Sequence, residues 1–354
     1  MASLGFLKNF KKGLEKIEGV NVGISAPNFW YSTGNYALNR RLSGSFFRGI
    51  PEGRISALVG IAGSGKSFLS SNILKSAQDA GAHIIIMDSE NALDFEFLGK
   101  IGVKTDEEHL TYLQVGTIED VNSVCSEFFS TYEKEYGRFN YDAPKIVMLL
   151  DSLAMLSTAT EEENYEKGGV VKGDQGQRAK RSKAMLRMIL SRIARLPITF
   201  LLTDHVYPQD PLKGDGEWAI TNSTKFFPSI IGLISRLKLR EDSEVIGIRM
   251  RVEAYKTRFA KLGSKVEIEV PYSTGMSPYS GLLELLEEDG VVTKGGAWYS
   301  CSLPSGDIKF QRKQLDEELV QKLFSHPKLL QQDEEVLNQA AEEELCEILA
   351  EEQE

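Results

Sequence analysis

Residues 60–67 read Gly-Ile-Ala-Gly-Ser-Gly-Lys-Ser and match the phosphate-loop pattern G-x-x-x-x-G-K-[ST] at every fixed position. The pattern demands both a ligand and a geometry, so nothing else in the chain constrains the fold as strongly. Gly60, Gly63 and Gly65 let the backbone turn tightly enough for its N–H groups to converge on a polyphosphate. Lys66 supplies a point charge for the β- and γ-phosphates, and the Ser67 hydroxyl is placed to hold Mg²⁺. Ser64 and Phe68 complete the nucleotide-binding set. The flanks agree with the motif. Residues 54–59 form a short apolar run, as in a buried parallel strand. Residues 68–80 have helical spacing and end at Gly81. Strand, loop and helix in that order aim a helix N-terminus at an anion. A chance glycine-rich turn would not carry these flanks. The motif alone establishes a bound nucleoside triphosphate and nothing narrower.

A chain of 354 residues suits one large α/β domain with smaller additions at each end. No stretch approaches the roughly 20 apolar residues needed to span a bilayer. Residues 1–20 are amphipathic and Lys-rich without a continuous apolar core, which predicts a short docking helix and not a signal peptide. Cys125, Cys301 and Cys346 are odd in number and scattered, as free thiols in a reducing compartment are. The four histidines show no metal-like spacing with them, so no zinc site is expected. The net charge is −10, but residues 331–354 alone hold ten Asp and Glu and no Lys or Arg. Outside that tail, acidic and basic residues balance at 41 each. The tail reads either as a solvated terminus or as a movable polyanion competing with nucleic acid for basic surface.

Strand candidates at 54–59, 83–87, 110–115, 146–150 and 199–203 alternate with helical stretches that include 117–136 and 177–196. This alternation predicts a mostly parallel sheet with helices on both faces. From 230 the pattern changes to strands without intervening helices, at 230–239, 246–255 and 265–270, an antiparallel extension. The expected divisions are an N-terminal helix and linker over 1–30, a nucleotide-binding core over 31–277, a small module with short helices over 278–330, and the acidic tail over 331–354.

Further candidates follow strand ends. Asp151 closes the apolar run 146–150 and would order the Mg²⁺ water shell. Glu90, just past 83–87, is the candidate acceptor for the attacking water, against the alternative of an N-cap or surface acid. His205 in Thr203-Asp204-His205 either senses the γ-phosphate or makes ordinary hydrogen bonds. Two long stretches, 158–175 and 206–224, read as irregular functional loops. The first runs into Arg178, Lys180 and Arg181; the second holds Lys213 and Trp218, with Lys225 at its exit. Basic residues mixed with aromatics suit single-stranded nucleic acid. The alternatives are a solvated helix face for the first and core packing for Trp218. Lys256 and Arg258 close the 246–255 strand and are either plain surface charges or cations reaching a neighbouring subunit's nucleotide.

Together these residues resemble the RecA-type recombinases, from about Tyr31 to Tyr299, and within them the phage UvsX branch. Asp88-Ser-Glu-Asn-Ala-Leu-Asp94 resembles the segment with the catalytic glutamate, which implies that role for Glu90 and adenine contacts for Asp94 and Phe97. Asp151-Ser152 resembles the second nucleotide motif. Residues 158–175 and 206–224 resemble the two DNA-binding loops, and Lys256-Thr257-Arg258 the pair touching ATP across a filament interface. The resemblance implies a RecA-like P-loop fold using ATP and Mg²⁺, with Glu90, Lys66, His205, Lys256 and Arg258 serving catalysis. It further implies binding of single- and double-stranded DNA, a homo-oligomeric helical filament, mediator and single-strand-binding proteins as partners, and action in the cytoplasm of a phage host. His205 fits the phage branch; Asp204 puts an acid where the family usually has an amide. The alternatives in other classes are a hexameric DNA helicase motor on the same core and a nucleotide-dependent switch or scaffold without a DNA role.

Overall fold

The computed structural model describes residues 10–14, 26–168, 175–208 and 218–330. Residues 10–14 are helical. The remainder of the expected N-terminal helix, Lys213 and the acidic tail lie outside the described residues.

The strands are β1 (Trp30–Tyr31), β2 (Ile50–Pro51), β3 (Ile55–Gly60), β4 (His83–Asp88), β5 (Leu110–Gln114), β6 (Ile146–Asp151), β7 (Ile198–Pro208), β8 (Trp218–Ile220), β9 (Ile230–Glu241), β10 (Glu244–Thr257), β11 (Lys265–Pro271), β12 (Thr293–Gly295), β13 (Trp298–Leu303) and β14 (Gly306–Gln311). The large sheet runs β11-β10-β9-β3-β7-β6-β4-β5, with β8 paired to β7. From β9 to β5 the neighbours are parallel; β9, β10 and β11 pair antiparallel. The expected mixed sheet is therefore present. Its central strands are buried along their whole length, as strands covered on both faces are.

Alternation along these strands divides the core into two layers. Ile84 and Ile86 pack with Leu69, Ile73 and Leu74 of the helix Lys66–Asp79. Ile85 and Met87 face the other way, against Val121 and Phe129 of the helix Ile118–Tyr136 and Met185 and Ile189 of the helix Gln175–Ile193. Both layers stop at the C-terminal strand ends, which leaves that edge of the sheet for polar residues.

Three expectations need correction. Residues 158–175 are not wholly irregular: Ala159–Glu166 is a helix with a capping box between Thr158 and Glu161. Nor are 206–224, because β7 continues to Pro208, β8 returns antiparallel beside it, and Asn222–Phe226 is a helix. The segment 278–330 contains the expected short helices, Leu282–Glu288 and Glu317–Phe324, but also the antiparallel sheet β12-β13-β14. Burial in β13 alternates strictly, with Tyr299, Cys301 and Leu303 inside. These residues join the same hydrophobic layer as the helix Tyr36–Ser43. Cys125 and Cys301 are buried free thiols. Among the described residues, no helix is long and apolar enough to cross a membrane.

Asn35 joins the two ends of this layer. Its Oδ1 accepts from Leu38 N at 2.8 Å, capping the helix Tyr36–Ser43. Its amide donates to Ser277 O and Ser280 O at 3.0 and 2.9 Å. Asn35→Ala should therefore cost about 3 kcal/mol, from three hydrogen bonds at about 1 kcal/mol each. Urea unfolding measures this; a loss under about 1 kcal/mol would show that Asn35 does not fasten 277–280 to the core.

Candidate nucleotide site

Parallel pairing brings four strand ends into line. Gly60 of β3 lies opposite His205 of β7, and Asp88 of β4 opposite Asp151 of β6. The phosphate loop, Asp88 to Glu90, Asp151-Ser152 and Thr203 to His205 consequently share one edge of the sheet.

The loop's glycines are required by geometry. Gly63 and Gly65 have φ of +67° and +104°, in the left-handed region. A Cβ at Gly60 would lie 2.5 Å from both Ile234 O and Ser64 Oγ. Lys66 opens the helix Lys66–Asp79 and is buried; its Nζ donates to Gly60 O and Ile61 O, each at 3.1 Å. Burial lowers the Lys66 pKa, and the carboxylates of Glu90, Asp151 and Asp204 only partly oppose this. Sequence reasoning missed a second cation: a Cβ at Gly63 would come within 3.2 Å of the Arg236 guanidinium, carried by β9.

Asp151 is buried. Its Oδ1 accepts from the Thr203 hydroxyl, while its Oδ2 has no hydrogen-bond partner among the described residues. Burial raises its pKa; the Thr203 and Ser67 hydroxyls act in the opposite sense, and the charges of Glu90 and Asp88 add to the rise. A buried carboxylate oxygen left without a partner beside Ser67 fits a hydrated Mg²⁺, and Ser67 and Asp151 are the residues that would hold it.

Glu90 is fixed by residues the sequence reading passed over. Asp88, buried at the end of β4, accepts from the N–H groups of Glu90 and Asn91 at 2.9 Å, from Leu93 N at 3.1 Å and from the Tyr112 hydroxyl at 2.7 Å. Ser89 and Ser152 lock β4 to β6: Ser152 N donates to Ser89 Oγ at 2.9 Å and Ser89 Oγ to Ser152 O at 2.7 Å. The Glu90 Oε1 then accepts from the Ser152 hydroxyl and lies 3.2 Å from His205 Nε2. Burial opposes ionisation of Glu90, but the Ser152 and His205 hydrogen bonds and the His205 and Lys66 charges outweigh it, so its pKa is lowered. An ionised carboxylate with one oxygen held in place can accept a proton from water. The sequence signal for this turn is an aspartate at a strand end followed by Ser-Glu-Asn, where Asn91 takes φ +53°.

A family model described as RecA N-terminal domain matches residues 19–277. The chain belongs to the RecA family. The Protein RecA of Geobacter sulfurreducens is 28% identical over 255 residues, covering 71% of this chain and 70% of its own length. That of Leptospira biflexa is 27% identical over 303 residues, covering 84% and 73%. That of Acidothermus cellulolyticus is 29% identical over 282 residues, covering 78% and 75%.

In this RecA-family chain the remaining candidate residues are placed as follows. Phe68 is partly buried against the core. Asp94 caps the helix Phe95–Ile101, accepting from Phe97 N at 2.6 Å, and the Phe97 side chain packs against the core. That helix packs beside the helix Lys66–Asp79. Arg178 donates to Ala154 O, and Arg181 pairs with Glu119 and donates to Thr160 Oγ1 at 3.2 Å, so both brace the helix Ala159–Glu166 region within the subunit. Lys180, Lys225 and Arg258 are exposed. Trp218 lies in β8, with its side chain outside the described set; Lys213 is outside it altogether. Lys256 Nζ donates to Lys225 O at 3.2 Å and Phe226 O at 2.8 Å. Asp204 is buried, and burial raises its pKa against the hydrogen bonds of Thr224, Thr221 and the His205 N–H.

Ser152→Ala removes a donor to the ionised form of Glu90. A carboxyl with a depressed pKa keeps its charge down to that pKa and loses it as pH falls further. Without Ser152 the pKa rises, so the acidic edge of nucleotide turnover should move toward neutral. A pH profile of kcat whose acidic edge does not move would disconnect Ser152 from Glu90.

Proposed function

We propose that this RecA-family protein is an ATP-dependent DNA strand-exchange recombinase that assembles as a helical filament on single-stranded DNA. The observation that carries the reading is Glu90: its carboxylate is held by Ser152 and faces His205 on β7, beside the phosphate loop, and β7 itself runs on into the second loop. Glu90 accepts the proton of the water that attacks the γ-phosphorus. Lys66 and Arg236 offer positive charge to the phosphates. Ser67 and Asp151 would hold Mg²⁺, which would supply further positive charge to the phosphates. Asp94 and Phe97 border the adenine.

In this reading subunits contact one another head to tail. Such contacts are heterologous and need not close, so they give filaments. Lys256 and Arg258 of one subunit reach the nucleotide of the next. Arg178, Lys180, Arg181, Lys213, Trp218 and Lys225 serve DNA through phosphate pairing and base stacking. His205 passes the presence of the γ-phosphate into 206–224, an ordering switch of known type. His205 supports placement near the phage UvsX branch.

Electron microscopy with a non-hydrolysed ATP analogue and single-stranded DNA should show helical filaments; closed rings would favour a helicase motor and overturn the reading. Glu90→Gln should keep ATP and DNA binding while turnover falls about a hundredfold or more. Turnover equal to that of the unaltered chain would remove Glu90 from the mechanism. Lys256→Ala should lower DNA-stimulated hydrolysis by about tenfold or more, as loss of a trans-acting cation does. Normal filaments with normal stimulated turnover would exclude the contact between subunits.

A further inference from the structure

Strand β7 carries Thr203, Asp204 and His205 in succession, and their side chains alternate between faces. Thr203 donates to Asp151, and His205 Nε2 lies 3.2 Å from Glu90 Oε1, so both face the nucleotide site. Asp204 turns the other way and is wholly buried. Its Oδ2 accepts from the Thr221 and Thr224 hydroxyls at 2.8 and 2.6 Å, and its Oδ1 from the His205 N–H at 2.9 Å. Thr221 is the N-cap residue of the helix Asn222–Phe226, and Thr224 sits in its first turn. A buried carboxylate is tolerated only when its oxygens are hydrogen-bonded. Here most of that satisfaction comes from the segment returning along β8, so the carboxylate and the returning segment hold each other.

The far end of the same helix is held by a charge of opposite sign. Lys256 Nζ donates to the carbonyls of Lys225 and Phe226. On its flank, Lys183 Nζ lies 5.2 Å from the Phe226 ring centroid. A helix of five residues has no stability of its own. An anion near its N-terminus and a cation at its C-terminus match its exposed N–H and C=O groups. The anion comes from β7, the strand that also carries His205, and the cation from β10.

We propose that Asp204 is a positioning residue: its grip on Thr221 and Thr224 makes the helix Asn222–Phe226 move as one body with the strand end that presents His205 to Glu90. DNA held near the second loop and ATP held by the phosphate loop then act on a single strand end. The inference rests on the reading of the chain as a DNA-stimulated ATPase.

The test compares Thr224→Val, which keeps the shape and removes the donor, with Thr224→Ser, which keeps the donor. The measured quantity is the ratio of ATP turnover with single-stranded DNA to turnover without it. Damage that slows both rates equally leaves this ratio unmoved. Thr224→Val should lower the ratio about tenfold, the scale of one lost hydrogen bond to a charged acceptor, and Thr224→Ser should restore it. An unchanged ratio in Thr224→Val, or an equal loss in Thr224→Ser, overturns the inference while leaving the recombinase reading intact. An unaltered chain with no stimulation by DNA removes both.

Discussion

Three carboxylates, Asp88, Asp151 and Asp204, are buried at the ends of adjacent strands, and the site depends on how each is compensated. Burying an ionised carboxylate is costly unless its oxygens are occupied. Asp88 is occupied by three backbone N–H groups and a tyrosine hydroxyl, and in return fixes the turn that carries Glu90. Asp151 is occupied on one oxygen by Thr203, which leaves the other directed to the chemistry beside Ser67. Asp204 is occupied by two threonine hydroxyls and ties down the second loop's return. One physical demand, met at three neighbouring positions, fixes the turn that carries Glu90, leaves one Asp151 oxygen without a partner among the described residues and ties Asp204 to the helix Asn222–Phe226.

These acids lie near one another, and Glu90 adds a fourth. Lys66 is the buried cation that faces them, with Glu90, Asp151 and Asp204 all raising its pKa against the effect of burial. Its position at the first turn of the helix Lys66–Asp79 brings the ammonium and the helix N-terminus to the same place. The phosphate loop is thus a local reversal of charge within an acidic strand edge. That reversal places a buried ammonium among the carboxylates of Glu90, Asp151 and Asp204.

Much of this was legible in the sequence, and the gaps have physical causes. Fully apolar runs such as 146–150 identified the central strands because strands covered on both faces need no polar side. Glu90 and His205 were legible as residues just past strand ends. Ser152 and Arg236 were not, because their roles come from partners distant in sequence; Ser152 meets Glu90 62 residues away, whereas Asp88 acts mainly within its own turn. The helix Ala159–Glu166 buries none of its residues, so it has no apolar periodicity to read, and only the Thr158–Glu161 capping box announced it. The strand β13 does alternate, but among short glycine- and serine-rich segments that resemble turns.

The placement of Lys256 and Arg258 shows how a single irregularity redirects a strand's side chains. Along β10, Met250, Val252 and Ala254 are buried in strict alternation. Continued alternation would turn Lys256 and Arg258 inward as well, where two cations would have to be buried in an apolar layer. The register instead shifts between Ala254 and Lys256, a bulge that reverses the parity of the strand. Thr257 takes the buried place, its hydroxyl donating to Leu42 O at 2.6 Å, and the two cations emerge together on the outer side. The bulge therefore does two things at once. It lets Lys256 cap the helix Asn222–Phe226, and it leaves Arg258 exposed alongside.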